Sequence, residues 1–337
     1  MLTGEGIRFK TVGGFSGHVM MKCKRCRAKA EVQVRQHNAA FCRACFIFFF
    51  QRQVQRSIEK YRMFTPADDV LVAVSGGKDS LALWDVLLES GYRATGLHLA
   101  LGIGDYSGGS VAKSEAFAQQ RGARLITVKL EDEGHAVPTL ARFTNRAACA
   151  ACGTAKRHHF DRIAYERGFT VLATGHNLDD EAARLLGNVL HWQTHHLAKQ
   201  HPVLEATHER FARKVKPLFR ITEYEAAVYA FLRGIDYVLE ECPNSVGASQ
   251  LAYKDALNRI EAAMPGTKLT FVQEFLRSGR PSFETDDAGA PQSCERCGMP
   301  AFGALCSYCR LVQEVDTKRI DRAARLAGGQ HGLRDGP

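Results

Sequence analysis

Residues 75–80 read Ser75-Gly76-Gly77-Lys78-Asp79-Ser80 and follow the apolar run Val70–Val74 directly. A loop between a strand and a helix, here predicted to open at Leu81, collects free N–H groups on one spot. The helix dipole makes that spot favour an anion. Gly76 and Gly77 let the backbone approach phosphate oxygens closely. Lys78 adds a positive charge, and Ser75 and Ser80 add hydroxyl donors. Asp79 has the chemistry of a Mg2+ ligand or of an anchor for the loop. The spacing is not that of the Walker A loop, which separates its two glycines by four residues. An ordinary tight turn would have no use for a lysine, an aspartate and two serines together.

The eleven cysteines divide unevenly. Cys23, Cys26, Cys42 and Cys45 make one four-sulfur set, with fifteen residues between its pairs. Cys294, Cys297, Cys306 and Cys309 make a second, with eight between. Each pair can put both sulfurs on one tetrahedral ion, and two pairs close a structural Zn2+ site. The predicted complement is two Zn2+ per chain. No signal peptide and no 18-residue apolar run is visible, so a reducing compartment is expected and disulfides are not. Cys149, Cys152 and Cys242 remain. Three thiolates leave one position open, which is the arrangement of a reactive site. A 4Fe-4S cluster with one free iron fits them. So does an iron-free pair, in which one thiol carries a persulfide and another resolves it as a disulfide. The bland alternative is three unrelated buried thiols. The place of Cys149 and Cys152, just before a helix predicted over 155–168, weighs against it.

These residues need elements to hold them. Strands are predicted at 69–75, 94–101, 124–130 and 169–174, and helices at 79–90, 110–121, 154–168 and 178–190. That alternation specifies an α/β fold, a doubly wound parallel sheet. Its ligand site lies at the carboxyl ends of the strands. Ser75, His98 and Thr174 fall at or near such ends, with Gly175 beside the last. Residues 1–20 are Gly-rich and read as a disordered extension, with Met20 or Met21 as the natural start. Residues 21–63 form the first zinc module and its helix, and 31–35 alternate as a short strand. The ATP-binding domain takes 64–280, 281–293 is a linker, 294–320 is the second zinc module and 321–337 a polar tail. Phe46, Phe48, Phe49 and Phe50 read as helix-packing residues. His191, His195, His196, His201 and His208 read as surface residues.

The 337 residues carry 45 Lys and Arg against 36 Asp and Glu, a net charge of +9. Cations gather at Lys22, Lys24, Arg25, Arg27 and Lys29, at Arg43, Arg52, Arg56, Lys60 and Arg62, and at Arg210, Arg213, Lys214, Lys216 and Arg220. Such patches suit phosphate contacts with RNA, although a solvated helix face would carry similar residues. No membrane partner is expected.

The hexamer at 75–80 resembles the PP-loop of the ATP pyrophosphatases, which hold the β and γ phosphates while AMP is transferred to a carbonyl oxygen. Around it stand Leu71–Ser80, Cys149 and Cys152, the run 173–181 (Ala-Thr-Gly-His-Asn-Leu-Asp-Asp-Glu), the run 214–218 (Lys-Val-Lys-Pro-Leu), Cys242-Pro243 and both zinc modules. In that order they resemble the TtcA/TtuA family of tRNA 2-thiolation enzymes over about residues 21–312. The likeness is greater to the TtuA branch, which acts on uridine 54 of the T-loop, since the TtcA type, acting on cytidine 32, lacks the zinc modules. Wobble-uridine thiolases share the layout.

The resemblance implies that ATP adenylates the uridine C2 oxygen and that sulfur replaces it, with release of AMP and pyrophosphate. It implies Mg2+ with the ATP and one 4Fe-4S cluster on Cys149, Cys152 and Cys242. It places Lys156 beside the cluster and matches Asp180 to the catalytic aspartate, with His176 as a supporting group. A surface ion pair is the plainer role for Lys156 and Asp180. The implied partners are tRNA, a ubiquitin-like carrier with a C-terminal thiocarboxylate, and a second copy in a homodimer. The implied location is cytoplasmic. A zinc-containing RNA-binding adaptor and an amidating synthetase are the competing classes. The intact loop speaks against the first and the three spare cysteines against the second.

Overall fold

The computed structural model describes residues 21–144, 146–245, 247, 249–283, 289 and 291–328. The extension expected at 1–20, most of the tail, and residues 284–288 and 290 of the linker lie outside them. The alternating stretch at 31–35 forms β1 (Val32–Val34), paired antiparallel with β2 (Ala39–Phe41). Helix α1 (Arg43–Lys60) leaves from Cys42 and lays its apolar face on the main body. Phe46 and Phe50 are fully buried, and Phe50 stacks on Tyr229 with centroids 4.1 Å apart. Phe48 departs from the expected packing role: it is 42% exposed and lies 3.7 Å beneath the Arg25 guanidinium.

The central domain then alternates β3 (Asp69–Val74), α2 (Lys78–Glu89), β4 (Arg93–Ala100), α3 (Gly104–Arg121) and β5 (Leu125–Lys129). It continues through α4 (Val137–Phe143), α5 (Ala148–Glu166), β6 (Val171–Thr174), α6 (Leu178–Leu190) and α7 (Thr194–Ala198). Strands β7 (Val203–Leu204) and β8 (Arg213–Val215) complete a sheet of order β5-β4-β3-β6-β8-β7. All neighbours are parallel except β7, which runs antiparallel to β8, so the sheet is parallel with one reversed edge. A reversed strand at the edge is a common end to a doubly wound sheet.

Strand β3 is apolar along its length because both faces are covered. Val70, Val72 and Val74 pack with α2 and α6, while Leu71 joins Leu97, Leu172 and Ile163 on the other side. Trp84 of α2 is fully buried and donates its indole N–H to the Ala94 carbonyl at 3.1 Å. Helices α8 (Glu223–Leu232), α9 (Ser249–Ala263) and α10 (Thr267–Glu274) follow the sheet. Strands β9 (Gln292–Ser293) and β10 (Pro300–Ala301) frame the second cysteine set, and α11 (Ser307–Gly328) packs against α4 and α5. Helix α5 starts seven residues earlier than the stretch at 155–168, so Cys149 and Cys152 lie on it rather than before it.

Candidate active site

The turn after β3 is tied down by its own side chains. The Ser75 amide donates to Ser80 Oγ at 3.1 Å, and Ser80 Oγ donates to the Gly77 carbonyl at 3.0 Å. Gly76 has φ +77°, and a Cβ there would meet the Ser110 carbonyl oxygen at 2.7 Å. Only glycine fits that position, so α3 can close over the loop.

A cavity of about 320 Å³ opens at the carboxyl ends of β3, β4 and β6. Ser75, Asp79, Ser80, His98, Thr174, Gly175, His176, Lys156 and Asp180 line it. Sequence separation of more than 100 residues is thus closed in space, with the loop on one wall and Lys156 of α5 on another. His98 is buried, and its Nδ1 lies 3.0 Å from Ser114 Oγ. Burial lowers its pKa to about 4, so it is neutral at pH 7. His176 is lowered by burial too, and its Nδ1 lies 2.8 Å from Thr174 Oγ1.

Lys78 does not line the cavity. Its ammonium turns to Glu223 Oε1 at 2.7 Å and Asp79 Oδ2 at 3.1 Å. Burial works against that charge, but the two carboxylates hold its pKa above the usual lysine value. Asp79 accepts from the Asn177 amide at 3.0 Å and is the anchor between the loop and α6. Asn177 also caps α6: its side chain accepts from the Asp180 amide, and the Asp180 carboxylate accepts from the Asn177 amide. The other Asp180 oxygen accepts from Lys254 Nζ at 2.7 Å, and Lys254 reaches Glu223 at 3.3 Å. One chain of charges, Asp180–Lys254–Glu223–Lys78–Asp79, therefore edges the site.

Cys149 and Cys152 share one face of α5 at an i, i+3 spacing. The exposed Cys149 thiol donates to the Asn244 carbonyl at 3.0 Å, in the 3-10 turn Pro243–Ser245 that follows Cys242. Burial raises the Cys152 thiol, opposed by the charge of Lys156, and Cys242 and Cys149 push it further up. Tyr106 is raised first by burial and then by Cys242 and Cys152. Cys149, on the helix that also carries Lys156 to the cavity wall, is thus in direct contact with the turn after Cys242. Among the described residues, only the two four-cysteine sets bring their ligand atoms within 4.8 Å of one another.

Those two sets have the dimensions of a metal site. Four sulfurs about 2.3 Å from Zn2+ stand about 3.8 Å apart. Cys26 and Cys42 are 3.6 Å apart, and Cys297 and Cys306 are 3.8 Å apart. Burial raises the Cys23 and Cys294 thiols, but converging backbone N–H groups bring both to about 6. The two turns match bond for bond. The Arg27 amide donates to the Cys23 carbonyl at 2.9 Å, and the Gly298 amide to the Cys294 carbonyl at 2.8 Å. Arg27 has φ +67° and Gly298 φ +72°, so arginine adopts the left-handed turn that glycine takes in the other module.

A PP-loop domain model matches residues 49–246, and the model for the N-terminal LIM domain of 2-thiouridine synthetase TtuA matches residues 22–47. The tRNA-5-methyluridine(54) 2-sulfurtransferase of Thermus thermophilus is 50% identical over 296 residues, 88% of this chain and 92% of that protein. The chain belongs to the TtuA family of tRNA 2-sulfurtransferases. The Pyrococcus horikoshii protein of the same name is 39% identical over 309 residues, 88% of this chain and 96% of its own. The U34-tRNA thiolase NcsA from Methanococcus maripaludis, solved with its [4Fe-4S] cluster, shares the fold. Its TM-score is 0.70 at 24% identity, covering 80% of this chain and 91% of that one.

Within this TtuA-family chain the cationic patches behave differently from one another. Around the first module, Lys22, Lys24, Arg25, Arg27 and Lys29 are exposed, as are Arg43, Arg52, Arg56, Lys60 and Arg62 along α1. The stretch 210–220 is largely engaged internally. Arg210 donates to the Gly298 carbonyl, Arg213 to Glu205, Lys214 to Asp161 and Lys216 to Glu181. Four of its five cations are therefore structural and not free for phosphate. Sequence reading did not single out Asn177, Glu223 or Lys254. The pattern Asn-x-x-Asp before an apolar run signals the first. Glu223 and Lys254 lie 31 residues apart and carry no local signal.

Proposed function

We propose that this protein is an ATP-dependent tRNA 2-sulfurtransferase that replaces the C2 oxygen of uridine 54 in the T-loop with sulfur. The observation that carries it is the convergence of the PP-loop, Lys156 and Asp180 on one cavity whose wall helix also bears Cys149 and Cys152. The higher identity to relatives named for position 54 supports that position over the wobble position.

The chemistry has two halves. The C2 oxygen attacks the α-phosphorus of ATP, and the bond to the β,γ-diphosphate breaks, releasing pyrophosphate. Sulfide then adds at C2, and AMP departs with the original oxygen. Loop amides, Ser75, Ser80 and Lys78, once Lys78 leaves Glu223, stabilise charge on the departing pyrophosphate. Asp79 and Asp180 would offer carboxylate oxygens to Mg2+, which would supply positive charge against the phosphates. Lys156 orients the base or offsets charge at C2. Cys149, Cys152 and Cys242 would hold a [4Fe-4S] cluster, which would supply Lewis-acid chemistry for sulfur delivery. Each four-cysteine set would hold one Zn2+, giving two per chain. A ubiquitin-like thiocarboxylate donor and a cytoplasmic homodimer complete the reading. No described helix is long and apolar enough to cross a membrane.

Nucleoside mass spectrometry of tRNA from a strain lacking the protein is the test. Loss of the 2-thio group at position 54 is expected. Unchanged 54 with loss of thiolation at 34 or 32 would move the target, and unchanged thiolation everywhere would overturn the reading.

A further inference from the structure

A second cavity, of about 630 Å³, lies along α6 beyond the active site. Arg184, His191, His196, Lys199 and Gln250 are among its lining residues, and no carboxylate is. Gln250 joins the two cavities: its side-chain amide donates at 3.0 Å to the carbonyl of Asp180. From Asp180 to His191 is eleven residues of α6, or about 17 Å at 1.5 Å per residue. Arg184 and Lys199 are exposed, and neither forms an ion pair among the described residues.

Trp192 stands in the chain between the lining residues His191 and Gln193 and does not itself line the cavity. It is 72% exposed. Its φ of +47° puts a bulky aromatic in the left-handed position after a helix end, where glycine is the usual occupant. No burial offsets that conformation. The Gln193 amide closes the helix end on the Asn188 carbonyl at 2.9 Å, which fixes the backbone and with it the indole's root.

We infer that this surface docks the RNA strand flanking the target nucleotide, with Trp192 stacking an unpaired base and Arg184 and Lys199 contacting phosphates. The inference rests on tRNA being the substrate. An exposed aromatic beside a carboxylate-free, cationic cavity is the pairing that single-stranded and loop RNA needs: a flat apolar face for a base and positive charge for the backbone. A protein partner would ask for a broader apolar surface or for acidic complementarity, and Leu204 is the one aliphatic side chain among the lining residues.

The chain has two tryptophans, and the other, Trp84, is fully buried. Tryptophan emission thus reports contact at Trp192 directly. The full-length protein is titrated with a T-arm hairpin RNA, without ATP, while emission and the anisotropy of labelled RNA are followed. Quenching of the exposed component is expected in wild type and absent in Trp192→Phe. RNA affinity should fall about tenfold in Trp192→Ala and be largely kept in Trp192→Phe, which retains a stacking face. Arg184→Gln and Lys199→Gln should each lower the dependence of log K on log salt by about 0.7. RNA binding without quenching, or Trp192→Ala with wild-type affinity and wild-type KM for tRNA, overturns the inference while leaving the thiolation reading intact. Wild-type protein that quenches with RNA yet never thiolates it has the opposite meaning. A quench produced by a protein carrier and not by RNA also overturns it.

Discussion

Replacing Lys78 by alanine separates ATP chemistry from folding. In the structure the Lys78 ammonium is held by Glu223 at 2.7 Å and Asp79 at 3.1 Å, with its side chain 22% exposed. Removing it does not strand either carboxylate. Glu223 keeps Lys254 at 3.3 Å, and Asp79 keeps the Asn177 amide. A partly exposed pair of this kind contributes about 1 kcal/mol or less. For a domain of this size that moves the melting temperature by about 2–4 °C at most. The effect on chemistry is larger. A charged donor aimed at developing phosphate charge stabilises the transition state by about 3 kcal/mol, or a factor of about 150 in rate. The assay is release of AMP and pyrophosphate in the presence of tRNA and a sulfide source, alongside thermal melting. Glu223→Gln is the companion variant. It frees the lysine from its strongest partner, so ATP affinity should hold or rise while stability falls by a similar small amount. Wild-type adenylation by Lys78→Ala would refute a phosphate role for this lysine. Release of ADP and inorganic phosphate by wild type would refute the PP-loop chemistry itself.

Cys149→Ala should abolish iron binding in anaerobically purified protein while both zinc ions remain, measured by metal analysis. Full iron content in a variant lacking Cys149, Cys152 and Cys242 would reassign the cluster. Asp180→Asn and Lys156→Ala should keep iron and zinc but lose thiolated nucleoside by mass spectrometry, since neither residue is a soft ligand. Asp180→Ala should also lose about 1 kcal/mol in chemical denaturation, because the carboxylate closes the capping box of α6. Stability should fall as pH drops from about 6.5 towards 4. His98 has its folded pKa depressed to about 4, so the unfolded chain binds a proton across that window and the folded one does not. Denaturation profiles of His98→Asn should be flatter there than wild type, and parallel profiles would remove His98 from this account.

What could be read from the sequence was local. The apolar run at 70–74 and the glycine loop after it declare a strand and an anion turn within a dozen residues. The cysteine spacings declare two tetrahedral sets in the same way. The start of α5 was hidden because Ala147-Ala148-Cys149-Ala150-Ala151-Cys152-Gly153 has no polar–apolar period and ends on a glycine. Strands β7 and β8 are two and three residues long, too short to alternate visibly. The clamp on Lys78 joins positions 145 residues apart, and only the folded chain brings Glu223 there. The cations of 210–220 looked free because their acidic partners are scattered from Asp161 to Glu205 in sequence. Arg27 takes the left-handed backbone that Gly298 takes in the other module, and its residue type carries no signal of it.

Helix α5 is shared between two sites. One end carries Cys149, Cys152 and Lys156. Further along, His158 stacks on Tyr308 with centroids 4.3 Å apart, and its Nδ1 lies 3.9 Å from Cys306 Sγ. Leu311, Val312 and Val315 of α11 join Ala151 and Ala155 in one core. A ribosome completes α5 at Glu166 but reaches Cys309 only 143 residues later. At about 5–20 residues per second that is roughly 7–30 s of synthesis. Through that interval Cys149 and Cys152 lie on a helix without its outer cover. Under the metal assignment proposed above, the outer cover of α5 is complete only once the second cysteine set has been made, which favours delivery of iron and sulfur to a finished chain.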